Sequence, residues 1–110
     1  MSPVPLYQAK ADLFRTLGHP VRVRVLELLA ERPQRVRDLL ADLGIEPSSL
    51  SQQLGVLRRS GLVTSSRSGT AVVYSLNTPH VSDLLSAGRQ ILTSVWTDTE
   101  DLLAELRESS

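Results

Sequence analysis

Cysteine is absent from this 110-residue chain, and histidine occurs only at His19 and His80. Disulfides, thiolate metal sites and a cysteine nucleophile are thereby excluded. There is no glycine-rich phosphate loop and no pair of carboxylates suited to acid–base chemistry, so neither an enzyme nor a cofactor is expected. Long apolar runs are missing too. Nothing approaches the roughly 18 consecutive apolar residues of a membrane span, and the first residues lack a basic-then-apolar signal pattern. A cytoplasmic protein with no membrane contact is expected. Aromatics are scarce (Tyr7, Phe14, Tyr74 and Trp96), so aliphatic side chains must fill the core. The length fits a single domain over residues 1–110. A domain this small is marginal alone, which points to burial against a second copy.

Net charge is zero but unevenly spread. Residues 1–76 carry ten basic side chains (Lys10, Arg15, Arg22, Arg24, Arg32, Arg35, Arg37, Arg58, Arg59, Arg67) against six acidic ones. Residues 77–110 carry Arg89 and Arg107 against six acidic ones, a split of +4 and −4. A basic body with an acidic tail can offer phosphate a positive face. Solvated charges that merely segregate would give the same split. The bias toward arginine suits bidentate contacts, and a GC-rich genome would produce it equally.

Residues 1–6, with prolines at 3 and 5, read as a flexible arm. A helix from about Tyr7 to Leu17 follows, with Ala9, Leu13, Phe14 and Leu17 on one face and Gly18 as its stop. Pro20 suits a first helical position, and Val21, Val25, Leu28 and Leu29 continue a helix to about Ala30. Arg32-Pro33-Gln34 breaks the chain. Val36, Leu39, Leu40 and Leu43 give a short third helix closed by Gly44, and Pro47 opens a fourth that runs to about Ser60, capped by Gly61. Leu62–Arg67 and Thr70–Leu76 read as strands joined by a Ser68-Gly69 turn. Asn77-Thr78-Pro79 then starts a long helix over 77–107, ending near Arg107. The fold class is mostly α with a small β-hairpin (α+β), in the order ααααββα of a winged helix-turn-helix.

That layout needs a second helix with one face packed and the other free to enter the major groove. At about 100° per residue, Leu50, Leu54 and Leu57 fall within about 60° of one another, a buried stripe. Ser48, Gln52, Gly55 and Arg59 lie opposite, flanked by Ser49, Val56, Ser51 and Arg58. Gln pairs bidentately with adenine, Arg with guanine, and Ser with bases or phosphates. Gly55 inside a helix costs roughly 1 kcal/mol relative to Ala, and a bare backbone there would let the groove wall come close. Any surface helix carries Ser, Gln and Arg outside; the hairpin behind this one shifts the balance. Arg67-Ser68-Gly69-Thr70 places a cation and two hydroxyls at an exposed tip, as phosphate anchoring requires. The candidate DNA-binding residues are Ser48, Ser49, Ser51, Gln52, Gln53, Val56, Arg58, Arg59, Arg67, Ser68 and Thr70.

Three stretches sharpen this reading: Leu17-Gly18-His19-Pro20-Val21-Arg22, then Leu50-Ser51-Gln52-Gln53-Leu54-Gly55-Val56-Leu57-Arg58-Arg59-Ser60-Gly61-Leu62-Val63, then Tyr74-Ser75-Leu76. Together they resemble the ArsR/SmtB family of bacterial regulators over about residues 7–95. The resemblance implies a homodimeric repressor that binds an imperfect palindrome near its own promoter and leaves DNA when an effector binds. The family's metal sites do not carry over. Where its arsenic- and lead-type site has Cys-Val-Cys-Asp-Leu, this chain has Arg35-Val36-Arg37-Asp38-Leu39. The positions matching the family's last-helix site are Thr78, His80, Ile91 and Ser94, and one ligand of four is not a zinc site. No metal is therefore expected, His80 reads as an exposed helix-start residue, and His19 reads as a cap at the corner between the first two helices.

In the last helix, Val81, Leu85, Gly88, Leu92, Val95, Thr99, Leu102 and Leu106 recur at alternating spacings of four and three, with Leu84, Ile91 and Leu103 beside them and Trp96 nearby. This is more apolar surface than one side of a small body can cover. A dimer interface is expected from Leu13, Val81, Leu84, Leu85, Gly88, Ile91, Leu92, Val95 and Trp96, and an intramolecular core helix stays open. The expected partner is double-stranded DNA with a palindromic operator, read by two copies about a two-fold axis. Two alternatives stay open as well: a winged helix that binds protein without DNA, and a metal-responsive sensor with a site foreign to the family. The effector is left open between a small molecule, a partner protein and none.

Overall fold

Two prolines decide where the central helices begin. Pro20 and Pro47 each stand in the first turn of a helix, where a missing N–H costs no intrahelical bond. The computed structural model describes residues 3–108. In chain order it contains α1 (Leu6–Leu17), α2 (Pro20–Glu31), β1 (Gln34–Arg35), α3 (Val36–Leu43), α4 (Pro47–Arg59), β2 (Val63–Ser68), β3 (Ala71–Leu76) and α5 (His80–Glu108). The arm expected over 1–6 lies partly outside the described residues, and Leu6 already opens α1. His19 caps α2 as expected: its backbone is extended and its Nδ1 accepts the Val21 N–H at 3.2 Å. At the far end of α2, Arg32 turns extended ahead of Pro33.

The stretch expected only as a chain break contains a strand. Gln34 pairs with Tyr74 and Arg35 with Val73, giving an antiparallel sheet in the order β1-β3-β2. Two residues carry no alternation that sequence could reveal, and the pairing partner lies about forty residues on in the chain. Gln34 is the one buried polar side chain among the described residues, and its Nε2 donates to the Leu28 carbonyl at 3.3 Å. That bond pins the sheet to the end of α2.

The core lies between α2, α3, α4 and the start of β2. Val25, Leu26, Leu28 and Leu29 meet Leu39, Leu50, Leu54 and Leu57, closed by Leu62, Val63 and Val81. Each such side chain contributes roughly 1.5–3 kcal/mol on burial. Aliphatic residues do nearly all of this work, as the shortage of aromatics demanded.

The passage from α4 into the hairpin is a Schellman turn. The Leu62 N–H donates to the Leu57 carbonyl and the Gly61 N–H to the Arg58 carbonyl, both at 3.1 Å. Gly61 sits at φ +82, a conformation that a residue with a Cβ rarely adopts. Leu57 and Leu62 are both buried, so the turn aims β2 at a fixed angle from the end of α4. Asn77 ties the other end of the hairpin to the same corner, its Nδ2 donating to the Gly61 carbonyl and its N–H to the Leu62 carbonyl, both at 2.9 Å. The last strand pair is Ser68 with Ala71, so the loop is Gly69-Thr70, one residue later than the expected Ser68-Gly69 turn. Gly69 alone has positive φ (+64), the pattern of a type II′ hairpin.

Candidate nucleic-acid interface

Residues Gly44–Glu46 turn α3 into α4, and the leucine stripe fixes how α4 sits. Leu50 and Leu57 are 0% exposed and Leu54 is 2% exposed. Ser48, Ser49, Ser51, Gln52, Arg58 and Arg59 are exposed, while Gln53, Gly55 and Val56 are half-buried along the helix. One detail departs from expectation. The backbone at Gly55 is not bare, because the Arg59 guanidinium folds back over it, with Nη1 at 3.1 Å from where a Cβ would stand. Spacing of four residues on a helix brings these positions together. Gly55 thus gives Arg59 a bed close to the helix axis.

The hairpin stands beside the C-terminal end of α4. Ser65 pairs with Tyr74 and Arg67 with Val72, so these four side chains share one face of the ribbon. Together with Arg58 and Ser66 they line a cleft of about 450 Å³. Two guanidinium-bearing residues, one from the helix and one from the wing, therefore meet across a single concavity. Ser68 and Thr70 are exposed at the tip.

Gln53 has a different setting from its neighbour Gln52. Its Oε1 accepts from Arg22 Nη1 at 2.9 Å, and Arg22 also donates from Nε to the Thr16 carbonyl at 2.6 Å and from Nη2 to the Arg15 carbonyl at 3.4 Å. Sequence reading gave Arg22 no role, and 31 positions separate it from Gln53. Gln53 is among the DNA-binding candidates expected from sequence; its position four residues before Leu57, beside the buried stripe, is the one local signal that it faces the body.

The residues expected at a dimer interface divide into two groups. Val81 is buried in the chain's own core, and Leu13 and Leu85 pack against that core. Leu84 and Gly88 are half-buried, and Ile91, Leu92, Val95 and Trp96 are exposed. On α1 the exposed large apolar residues are Leu6, Tyr7 and Phe14. An apolar groove of about 520 Å³ runs between α2 and α5, lined among others by Val23, Leu85, Gly88, Leu92 and Trp96.

Some of the positions matching the family's metal sites make local contacts instead, with the His80 bond made by its backbone N–H. Arg35 Nε lies 3.1 Å from Asp38 Oδ2, and the His80 N–H donates to Thr78 Oγ1 at 3.3 Å. The His80 ring is 3.8 Å from Asp83, and both are exposed. Among the described residues no three of His, Cys, Asp or Glu gather as a metal would need, and no helix is long and apolar enough to cross a membrane.

Residues 19–65 match the family described as bacterial regulatory protein, arsR family. Over 108 residues, 97% of this chain and 95% of the relative, the sequence is 49% identical to the uncharacterized HTH-type transcriptional regulator Rv0081 of Mycobacterium tuberculosis (strain ATCC 25618 / H37Rv). The chain belongs to the ArsR family. A crystal structure of M. tuberculosis Rv0081 superposes with a TM-score of 0.81 at 50% identity, covering 88% of this chain and 98% of that one. The biofilm growth-associated repressor of Xylella fastidiosa (strain Temecula1 / ATCC 700964) is 40% identical over 77 residues, 70% of this chain and 68% of the relative. This ArsR-family protein is accordingly a winged helix-turn-helix, DNA-binding transcriptional regulator and not an enzyme.

Proposed function

We propose that the chain is a homodimeric repressor that binds an imperfect palindrome near its own promoter. The observation that carries this reading is α4 itself: three leucines fully packed, with Ser48, Gln52 and Arg59 exposed on the other side and Ser51 on its flank. In the major groove, Gln52 takes adenine and Arg59 guanine, with Ser48 and Ser51 on bases or phosphates and Ser49 and Val56 along the flank. Arg58 and Arg67 bind phosphate across their shared cleft, and Ser68 and Thr70 steady the wing tip on the backbone. The second copy covers the exposed apolar residues of α1 and α5, setting two recognition helices about a two-fold axis. The protein works in the cytoplasm, and an effector, a small molecule or a partner protein, acts through α5.

Footprinting on the DNA upstream of the protein's own gene tests the operator, with sedimentation at micromolar concentration alongside. Protection of two half-sites by a dimer is the expected result. A monomer, or binding that ignores salt, would sink the reading, because phosphate contacts make affinity fall steeply with salt.

A further inference from the structure

We propose that Arg22 is a positioning residue that couples the seating of α1 to the orientation of α4. The inference rests on α4 being the helix that reads DNA. From its place on α2, the Arg22 guanidinium reaches two other elements at once. Nε and Nη2 bond the Thr16 and Arg15 carbonyls in the last turn of α1, and Nη1 bonds Gln53 Oε1 in the middle of α4. The Thr16 carbonyl in that last turn has no intrahelical donor, while the Arg15 carbonyl also accepts the Gly18 N–H at 3.1 Å, and the negative end of the helix dipole favours a cation there. The guanidinium is planar with a fixed fork of donors. A shift of the last turn of α1 must therefore either break a charge-assisted bond or carry Gln53 with it.

The packing that holds α1 is light: none of its residues is buried, and of its apolar side chains only Leu13 and Leu17 lean on the core. Its outer side exposes Tyr7 and Phe14 at 77% and 57%. Whatever covers that side, a second copy in the reading above, sets the position of Thr16 and so the pull on Gln53. Gln52 and Arg59 stand on the same helix as Gln53, and their aim follows. Seating of α1 thus selects between operator and unspecific DNA without Arg22 touching either.

The test uses the full chain, a duplex that the wild type retains from a random-sequence pool, and a scrambled duplex of the same composition. Arg22→Ala and Gln53→Ala should each lower the ratio of the two affinities by about tenfold, the scale of one hydrogen bond to a charged group. The double variant should lose no more than either single one, the signature of a shared interaction. Sedimentation and the salt slope on scrambled DNA should stay as in the wild type. Arg22→Lys keeps the charge but not the fork, and should restore the melting temperature without restoring the ratio; it carries the test should Arg22→Ala not fold. A lowered melting temperature with an unchanged ratio would mean a merely structural cap and overturn the proposal, as would additive losses or a ratio restored by lysine. A wild type that retains no duplex at all would instead bring down the reading of α4, and this coupling with it.

Discussion

The stretch from α2 to β3 and the two outer helices obey different rules of burial. All but one of the core side chains lie between Val25 and Val63, and Val81 is the exception. The large apolar residues left in solvent all lie elsewhere: Val4, Leu6, Tyr7 and Phe14 at one end, and Ile91, Leu92, Val95, Trp96, Leu102 and Leu103 among those at the other. The middle holds itself together, so its outward polar face is at liberty to read DNA. The outer helices form a frame that is incomplete in one copy, as expected if a second copy finishes it.

Substitutions should separate the two regions sharply. Leu57→Ala strikes the self-sufficient part and should cost about 2–5 kcal/mol in chemical unfolding, much of what a domain this size has. Leu92→Glu strikes the frame at a half-exposed position. Circular dichroism should show the α2–β3 fold retained and sedimentation a monomer. Operator affinity should fall by about 100-fold or more as the linked half-sites come apart. If Leu92→Glu unfolds the whole chain, the division drawn above is wrong.

Smaller effects sharpen the picture of the middle. Gln52→Ala and Arg59→Ala should each remove roughly 1–3 kcal/mol of preference for the operator over scrambled DNA in titrations. Arg67→Ala should weaken all duplexes about equally and reduce the slope of log affinity against log salt by about one. Should both classes behave alike, base readers and phosphate anchors are not distinct here. Gly55→Ala comes last. It should raise thermal stability by up to about 1 kcal/mol, since only the flexible end of Arg59 must give way. The displaced Arg59 should blunt operator preference less than its own removal does.

The elements were largely readable because the signals are local. Pro20, Pro47, His19 and Gly61 mark boundaries by backbone chemistry alone, and Leu50, Leu54 and Leu57 mark the packed side of α4 by spacing. What escaped depends on residues far apart in the chain. β1 is a strand only because Tyr74 and Val73 lie beside it. Arg22 looks like any helix-surface arginine until the fold brings Gln53 to it. At Gly55 the neighbour that fills the gap is a long side chain, Arg59, whose direction helical spacing does not give. On α1, sequence marked Leu13 and Phe14 on one face, and only the packing shows that Leu13 turns inward while Phe14 stays out.

The length of α5 has a consequence for how the protein behaves on dilution. Its 29 residues extend about 43 Å at 1.5 Å per residue. Residues 91–105 are exposed along their whole run, and an isolated helix of about that length is only marginal in water. If a second copy covers α5 as proposed above, this segment should fray to coil below the concentration at which the copies associate, and its amides should lose protection from hydrogen exchange while those of α2 and α4 keep theirs. On that reading, helicity of residues 91–105 would gauge how many copies are paired, and proteases that cut unfolded chain would trim unpaired protein first.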